Sequence, residues 1–349
     1  MKIAMIGSGA AGSVFASYLK KGGAEEVWLV DPNKAHMDKV AKDGMIFRNP
    51  DGEFHVTGFK TAYSAEEVGV ADIVIIMVKA TITELALKGA MCCVGPETVV
   101  VTLQNGLGNE EVVKKLIPEE RVMFGCGNMG TELPEPGTCV AKPSAGTENM
   151  YFGPCVKNEL TDKVGKYLEE KFAAGGLLPH FYDDVRPKVW RKATSNSGFN
   201  TVCAVLRLKI KEVYDDPEGV SLVWSVWKEA SDVAEALGIP GIWEYMHEEM
   251  PRIVKGLGDY YPSMAQDAQA HRQPEVDTLT GGGSMFGRTV GGAPAAGGPG
   301  GPTAPAGPVG PGGRGGPDVM SPAGPVAPVA PVAPVAPVAP VAPATVTKS

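Results

Sequence analysis

The sequence predicts an α/β chain: a Rossmann-type doubly wound sheet at the N-terminus, then a mainly helical C-terminal domain and a Gly/Pro/Ala-rich tail. Three observations predict it. Strand-like and helix-like segments alternate as far as about Asp183, the order that builds a parallel sheet covered by helices. Helical periodicity then dominates up to Gly282. Beyond that point Gly, Pro, Ala and Val take over, and no spacing of apolar residues could form a core. The expected boundaries are 1–184 for the dinucleotide-binding domain, 185–282 for the helical domain and 283–349 for the tail.

The elements follow in order. Lys2 to Ile6 is a short apolar strand ending in glycines, and Ala11 to Lys20 carries Val14, Phe15, Tyr18 and Leu19 on one helical face. Val27 to Val30 is a second strand, stopped by Asp31-Pro32. Asp72 to Val78 and Thr98 to Leu103 are near-continuous β-branched runs, which suit strands buried on both faces. Val122 to Gly125 reads as another strand, and Leu177 to Arg186 as a hinge between domains. Helices are expected over Pro187 to Leu208, Val220 to Leu237 and Ile242 to Val254, with Pro187 in a first turn and Gly238 followed by Pro240 as a stop. The tail includes six copies of Pro-Val-Ala between Pro325 and Ala342, a pattern that favours extended polyproline II and reads as disordered.

Composition narrows the function. No run of apolar residues is long enough to span a membrane, and the N-terminus is a poor signal peptide. The net charge is −8, and only Arg288, Arg314, Asp318 and Lys348 are charged beyond Gly281, so the acidic excess lies in the domains. An acidic chain without a basic block is a poor nucleic-acid binder. The six cysteines show neither C-x-x-C pairs nor zinc spacing, so no metal site is expected and the thiols suit a reducing, cytoplasmic setting.

Gly7-Ser8-Gly9-Ala10-Ala11-Gly12 fits G-x-G-x-x-G between a strand and a helix. The first glycine permits the tight turn and the second admits the pyrophosphate. The third lets helix and strand pack closely. Asp31 ends the second strand 19 residues after Gly12, where a carboxylate can accept bonds from the adenosine ribose diol and repel a 2′-phosphate. It favours NADH, with Lys34 and Arg48 as nearby sources of positive charge. Lys79 and Asn105 lie in loops beyond later strands, where an open sheet binds ligands. Each can serve nicotinamide ribose or substrate, or be an ordinary surface residue.

Lys192, Asn196 and Asn200 recur every four residues, and eight residues rotate a helix by about 800°, so the three form one polar stripe. Such a stripe suits either a wet helix face or a cleft wall. In the second case the lysine is a proton donor and the amides orient a carbonyl and a carboxylate.

The segment Pro262-Ser263-Met264-Ala265-Gln266-Asp267, with Arg272, Glu275 and Asp277 after it, resembles the Ser-Met-x-Gln-Asp … Arg-x-x-Glu-x-Asp signature of the ketopantoate reductase family. The glycine turn, Val78-Lys79, Gln104-Asn105-Gly106 and the Lys192 helix stand in that family's order and spacing, over residues 1 to 282. The resemblance implies reduction of 2-dehydropantoate to pantoate, on the route to pantothenate and coenzyme A, with NADPH or NADH. It implies that Lys192 is the general acid and that Glu275 holds that lysine or the nascent hydroxyl beside the cofactor. Asn196, Asn200 and Ser263 would bind substrate, and Asn105 would stand between substrate and nicotinamide. Gly7, Gly9, Ala10, Ala11, Gly12, Asp31 and Lys79 would bind the cofactor.

Three departures stand beside the resemblance. Many members carry a basic residue for the 2′-phosphate where this chain has Asp31. A family asparagine is replaced by Ile210. The Gly/Pro tail takes the place of further helices, so the second domain reads as truncated. Another small 2-keto acid, an opine-type dehydrogenase, or a non-catalytic nucleotide-binding module remains open. The expected partner is a small 2-keto acid, with neither nucleic acid nor membrane, and a homodimer is left open.

Overall fold

The computed structural model of the chain describes residues 1–143 and 148–289. Its first half alternates as the sequence predicts. β1 (Lys2–Ile6) leads into α1 (Ala10–Lys21), and β2 (Glu26–Val30) into α2 (Lys34–Asp43). The hairpin β3 (Met45–Asn49) and β4 (Gly52–Val56) precedes β5 (Lys60–Ala62) and β6 (Ala71–Ile76). Then come α3 (Thr83–Gly89), β7 (Val94–Thr102), α4 (Asn109–Lys114) and β8 (Val122–Gly127).

β9 (Met129–Glu135), β10 (Thr138–Pro143) and β11 (Met150–Pro154) follow, then α5 (Glu159–Gly175) and β12 (Pro179–Phe181). The main sheet has eight strands in the order β12-β11-β8-β7-β6-β1-β2-β5. The five strands from β8 to β2 are mutually parallel, so their carboxyl ends share one edge. β1 has β6 on one side and β2 on the other, which is the topological switch point where such sheets bind ligands.

The β-branched runs explain the sheet's stability. Ile73, Ile75, Val99 and Val101 are fully buried with residues of α1 and α5. Their neighbours Val74, Ile76 and Val100 are fully buried in a second cluster with Leu87 of α3 and Val113 of α4. Successive side chains thus feed opposite cores, each side chain contributing about 1.5–3 kcal/mol.

The helical part runs through α6 (Arg186–Leu206), α7 (Ile210–Asp215), α8 (Pro217–Ala236) and α9 (Ile242–Leu257), then α10 (Ser263–Gln269), α11 (Val276–Leu279) and α12 (Gly281–Thr289). α6 joins two cores. Val189, Trp190 and Ala193 pack with the end of the sheet, whereas Phe199, Val202 and Cys203 pack with Trp227 and Met246. No helix among the described residues is long and apolar enough to cross a membrane.

Three features differ from the sequence expectations. A separate sheet, β4-β3-β10-β9, covers one side of α1, built from short strands without a clean alternation. The segment expected to be a hinge is largely fastened to the sheet. β12 pairs with β11, the Leu178 N–H donates to Asn149 Oδ1 (2.7 Å) and the Tyr182 N–H to the Phe152 carbonyl (2.9 Å). Helix also continues past Gly282 to Thr289, because Phe286 packs on Trp190 (5.7 Å between ring centroids) where the glycine-rich composition hid a helix. The tail expected to be disordered lies, from residue 290 onward, outside the described residues.

Candidate active site at the carboxyl edge of the sheet

Two glycines of the N-terminal turn, Gly7 and Gly12, answer a steric demand within the fold. Gly7 has φ +93°, and a Cβ there would lie 2.7 Å from the Val78 backbone nitrogen. A Cβ on Gly12 would lie 1.9 Å from the Gly7 carbonyl oxygen, so α1 can leave β1 this closely only without a side chain. Nothing lies within 4 Å of the space a Gly9 Cβ would fill, which leaves that side of the turn open to a diphosphate. Ala10 and Ala11 form the first turn of α1, which has no side-chain cap, so its backbone N–H groups are free for an anion. Asp31 follows β2. Its Oδ2 accepts the Ser8 N–H and its Oδ1 the Asn33 N–H, both at 2.9 Å, and its remaining lone pairs suit a ribose diol. Of the two cations considered from the sequence, Arg48 is paired with Glu53 (2.7 Å) and Lys34 lies over the Tyr63 ring (4.6 Å).

The loops after β6 and β7 are tied together and to the helical part. Gln104 is buried, donating to the Val78 carbonyl (2.7 Å) and to Thr83 Oγ1 (2.8 Å). Asn105 beside it is exposed, with its side chain free of hydrogen bonds among the described residues. Lys79 bonds Asp267 Oδ2 (2.8 Å) and lies 3.7 Å from Glu275 Oε2. The Ala80 N–H donates to Glu275 Oε1 (2.9 Å), and Arg272 holds the other Asp267 oxygen (2.7 Å). Burial pushes the Asp267 carboxyl up, but bonds from Lys79 and Arg272 outweigh it and hold the group below the usual carboxylate range. Glu110, half-buried in α4, shows the opposite balance. Burial pushes it up to about 7, and backbone N–H groups only partly oppose this.

Lys192 reaches the same edge from α6. Its ammonium donates to the carbonyl of Gly127, the last residue of β8. A Cβ on Gly127 would lie 2.7 Å from Phe15 of α1, so this carbonyl sits beside the helix that the glycine turn opens. Asn196 and Asn200 continue the stripe, half-buried and buried, and neither side chain makes a hydrogen bond among the described residues. Neither amide is among the buried polar groups left without a partner, so both reach solvent and stay open to a ligand. Ser263 opens α10 and is exposed. Glu275, just ahead of α11, meets the Lys79 loop through the Ala80 N–H and the Lys79 ammonium.

Sequence reasoning did not single out the Gly127 carbonyl, Gln104 or Asp267 as site residues. Gln104 and Asp267 stand inside the family-like motifs, but their burial is visible only in the fold. A backbone acceptor leaves no sequence signal.

Comparison with known proteins bears on this geometry. The family "Ketopantoate reductase PanE/ApbA" matches residues 3–156, and its C-terminal counterpart matches residues 184–293. The chain belongs to the ketopantoate reductase family. It is therefore an NAD(P)-dependent oxidoreductase acting on a CH–OH group. It is 28% identical over 296 residues to the 2-dehydropantoate 2-reductase of Streptococcus pyogenes serotype M3, covering 83% of this chain and 92% of the relative. The solved 2-dehydropantoate 2-reductase of Geobacter metallireducens shares the fold, with TM-score 0.75 at 24% identity, covering 84% of this chain and 95% of that one. A D-mandelate dehydrogenase solved with NADH and anilino(oxo)acetate aligns with TM-score 0.73 at 26% identity, covering 84% and 93%.

Proposed function

We propose that this ketopantoate reductase family member reduces 2-dehydropantoate to pantoate, for pantothenate and coenzyme A synthesis, with Lys192 as general acid. The observation that carries the reading is the Lys192 ammonium on the Gly127 carbonyl, at the sheet edge that the glycine turn also occupies. When bound, the nicotinamide supplies the hydride. Lys192 Nζ holds the proton, leaves the Gly127 carbonyl for the keto oxygen, and stabilises the developing alkoxide while delivering it. General acids of this kind contribute about 10²–10⁴-fold. Asn196 and Asn200 have amide groups free to orient the carbonyl and carboxylate, and Ser263 binds the substrate hydroxyl. Lys79, Glu275 and Asp267 hold the β6 loop against the helical part, which sets the width of the cleft. Asn105 stands between the two ligands.

Asp31 supports NADH over NADPH, since its carboxylate repels a 2′-phosphate, and Arg48 is paired with Glu53. A second reading, a 2-keto acid with a more apolar side chain, is favoured by Ile210. It is buried with Phe199 and Trp227 where the resemblance calls for an asparagine. Initial rates on 2-dehydropantoate, 2-ketoisovalerate and phenylglyoxylate, each with NADH and NADPH, decide both points. The highest kcat/KM is expected for 2-dehydropantoate with NADH. Turnover of phenylglyoxylate alone would establish the second reading, and no turnover of any would remove both.

A further inference from the structure

Helix α2 carries a histidine that the reaction does not use. His36 is fully buried, and both ring nitrogens have partners. Nδ1 accepts the Gly137 N–H (2.9 Å) and Nε2 lies 3.0 Å from Ser13 Oγ. A backbone N–H can only donate, so Nδ1 carries no proton and the neutral ring has its hydrogen on Nε2. Nε2–H therefore donates to Ser13 Oγ, and the Ser13 hydroxyl donates to the Ser8 carbonyl (2.8 Å). Burial lowers the affinity of His36 for a second proton and outweighs the pull of Asp31, in agreement with a neutral ring.

The bonds form a one-way relay into the glycine turn. Gly137, between β9 and β10, is anchored by its carbonyl to the Ile46 N–H (2.8 Å). At the other end Ser8 has both backbone groups held, its N–H by Asp31 and its carbonyl by Ser13. The Ser8 carbonyl and the Gly9 N–H belong to one planar trans peptide and point in opposite directions. Holding the oxygen inward on Ser13 keeps the Gly9 N–H turned out to the open side of the turn.

We propose that His36 is a positioning residue for the cofactor: through Ser13 it fixes the peptide plane that presents the Gly9 N–H to the dinucleotide diphosphate. The role rests on the reading of this turn as the cofactor site. The test is the Kd for NADH, measured by fluorescence titration, beside the KM for the keto acid, in Ser13→Ala, His36→Leu and His36→Gln. Ser13→Ala and His36→Leu should each weaken NADH binding about tenfold and leave the keto acid KM within about twofold. His36→Gln, whose amide keeps a donor towards Ser13, should recover most of the loss. If His36→Leu does not fold, Ser13→Ala, which deletes one oxygen, decides the question alone. Unchanged NADH binding in Ser13→Ala, or losses that move both ligands together and resist His36→Gln, would overturn the role. A wild-type chain that binds neither NADH nor NADPH would overturn the cofactor reading itself, and this role with it.

Discussion

The glycine turn and the charged crossing from Lys79 to Asp267 and Glu275 lie on the same edge of one sheet but are held by different forces. The turn is built from backbone. Gly7 and Gly12 leave no room for a side chain, and Asp31 and Ser13 fasten the Ser8 peptide groups from nearby in the chain. The crossing is built from ions 188 positions apart, reinforced by an Ala80–Glu275 bond spanning 195. The Lys79 side chain is 51% exposed, so water and salt reach it. The turn is thus set by sterics, which conditions hardly alter. The crossing depends on charges, which pH and salt do alter.

Three changes follow in falling order of effect; the first and last test this contrast, and the second tests a carboxyl governed chiefly by burial. Gly12→Ala forces a Cβ to 1.9 Å from the Gly7 carbonyl, so the backbone must move. NADH affinity should fall on the order of 100-fold in a titration, at any ionic strength. Glu110→Gln comes next. A carboxyl raised to about 7 in the folded state stabilises the protein below its unfolded value and loses that contribution as pH rises through 7. Denaturant titrations from pH 5 to 8 should show wild type losing stability, by about 2.5 kcal/mol, and Glu110→Gln staying flat.

Asp267→Asn is the smallest. Its carboxyl is lowered, so its contribution is present above the ordinary carboxylate value and is lost as pH falls through the depressed one. At pH 7 the variant should lose only about 1 kcal/mol, because Lys79 is half exposed. The loss should shrink in high salt and vanish in strong acid. A salt-insensitive loss would mean that the crossing works by packing.

The same contrast explains what the sequence made legible. The turn, its flanking strand and helix, and Asp31 could be read directly, because each follows from local sterics and spacing. The Lys192, Asn196 and Asn200 stripe was legible as a stripe, since helical period is local too. The partner of Lys192 was not, because the Gly127 carbonyl is backbone that 65 positions of chain separate from it. The placement of Glu275 against Lys79 rests on how α11 meets the sheet, which local pattern does not encode. α12 was hidden by glycines, and its Phe286 contact with Trp190 exists only once the helices have packed.

The assignment of the proton to Lys192 is tested most directly by single-turnover reduction of 2-dehydropantoate in Lys192→Ala, with NADH binding measured on the same preparation. The hydride step should slow by about 10²–10⁴-fold while NADH binds as in wild type, and added methylamine should restore part of the rate. An unchanged hydride step in a variant that still binds NADH would show that the ammonium on the Gly127 carbonyl has no part in the chemistry.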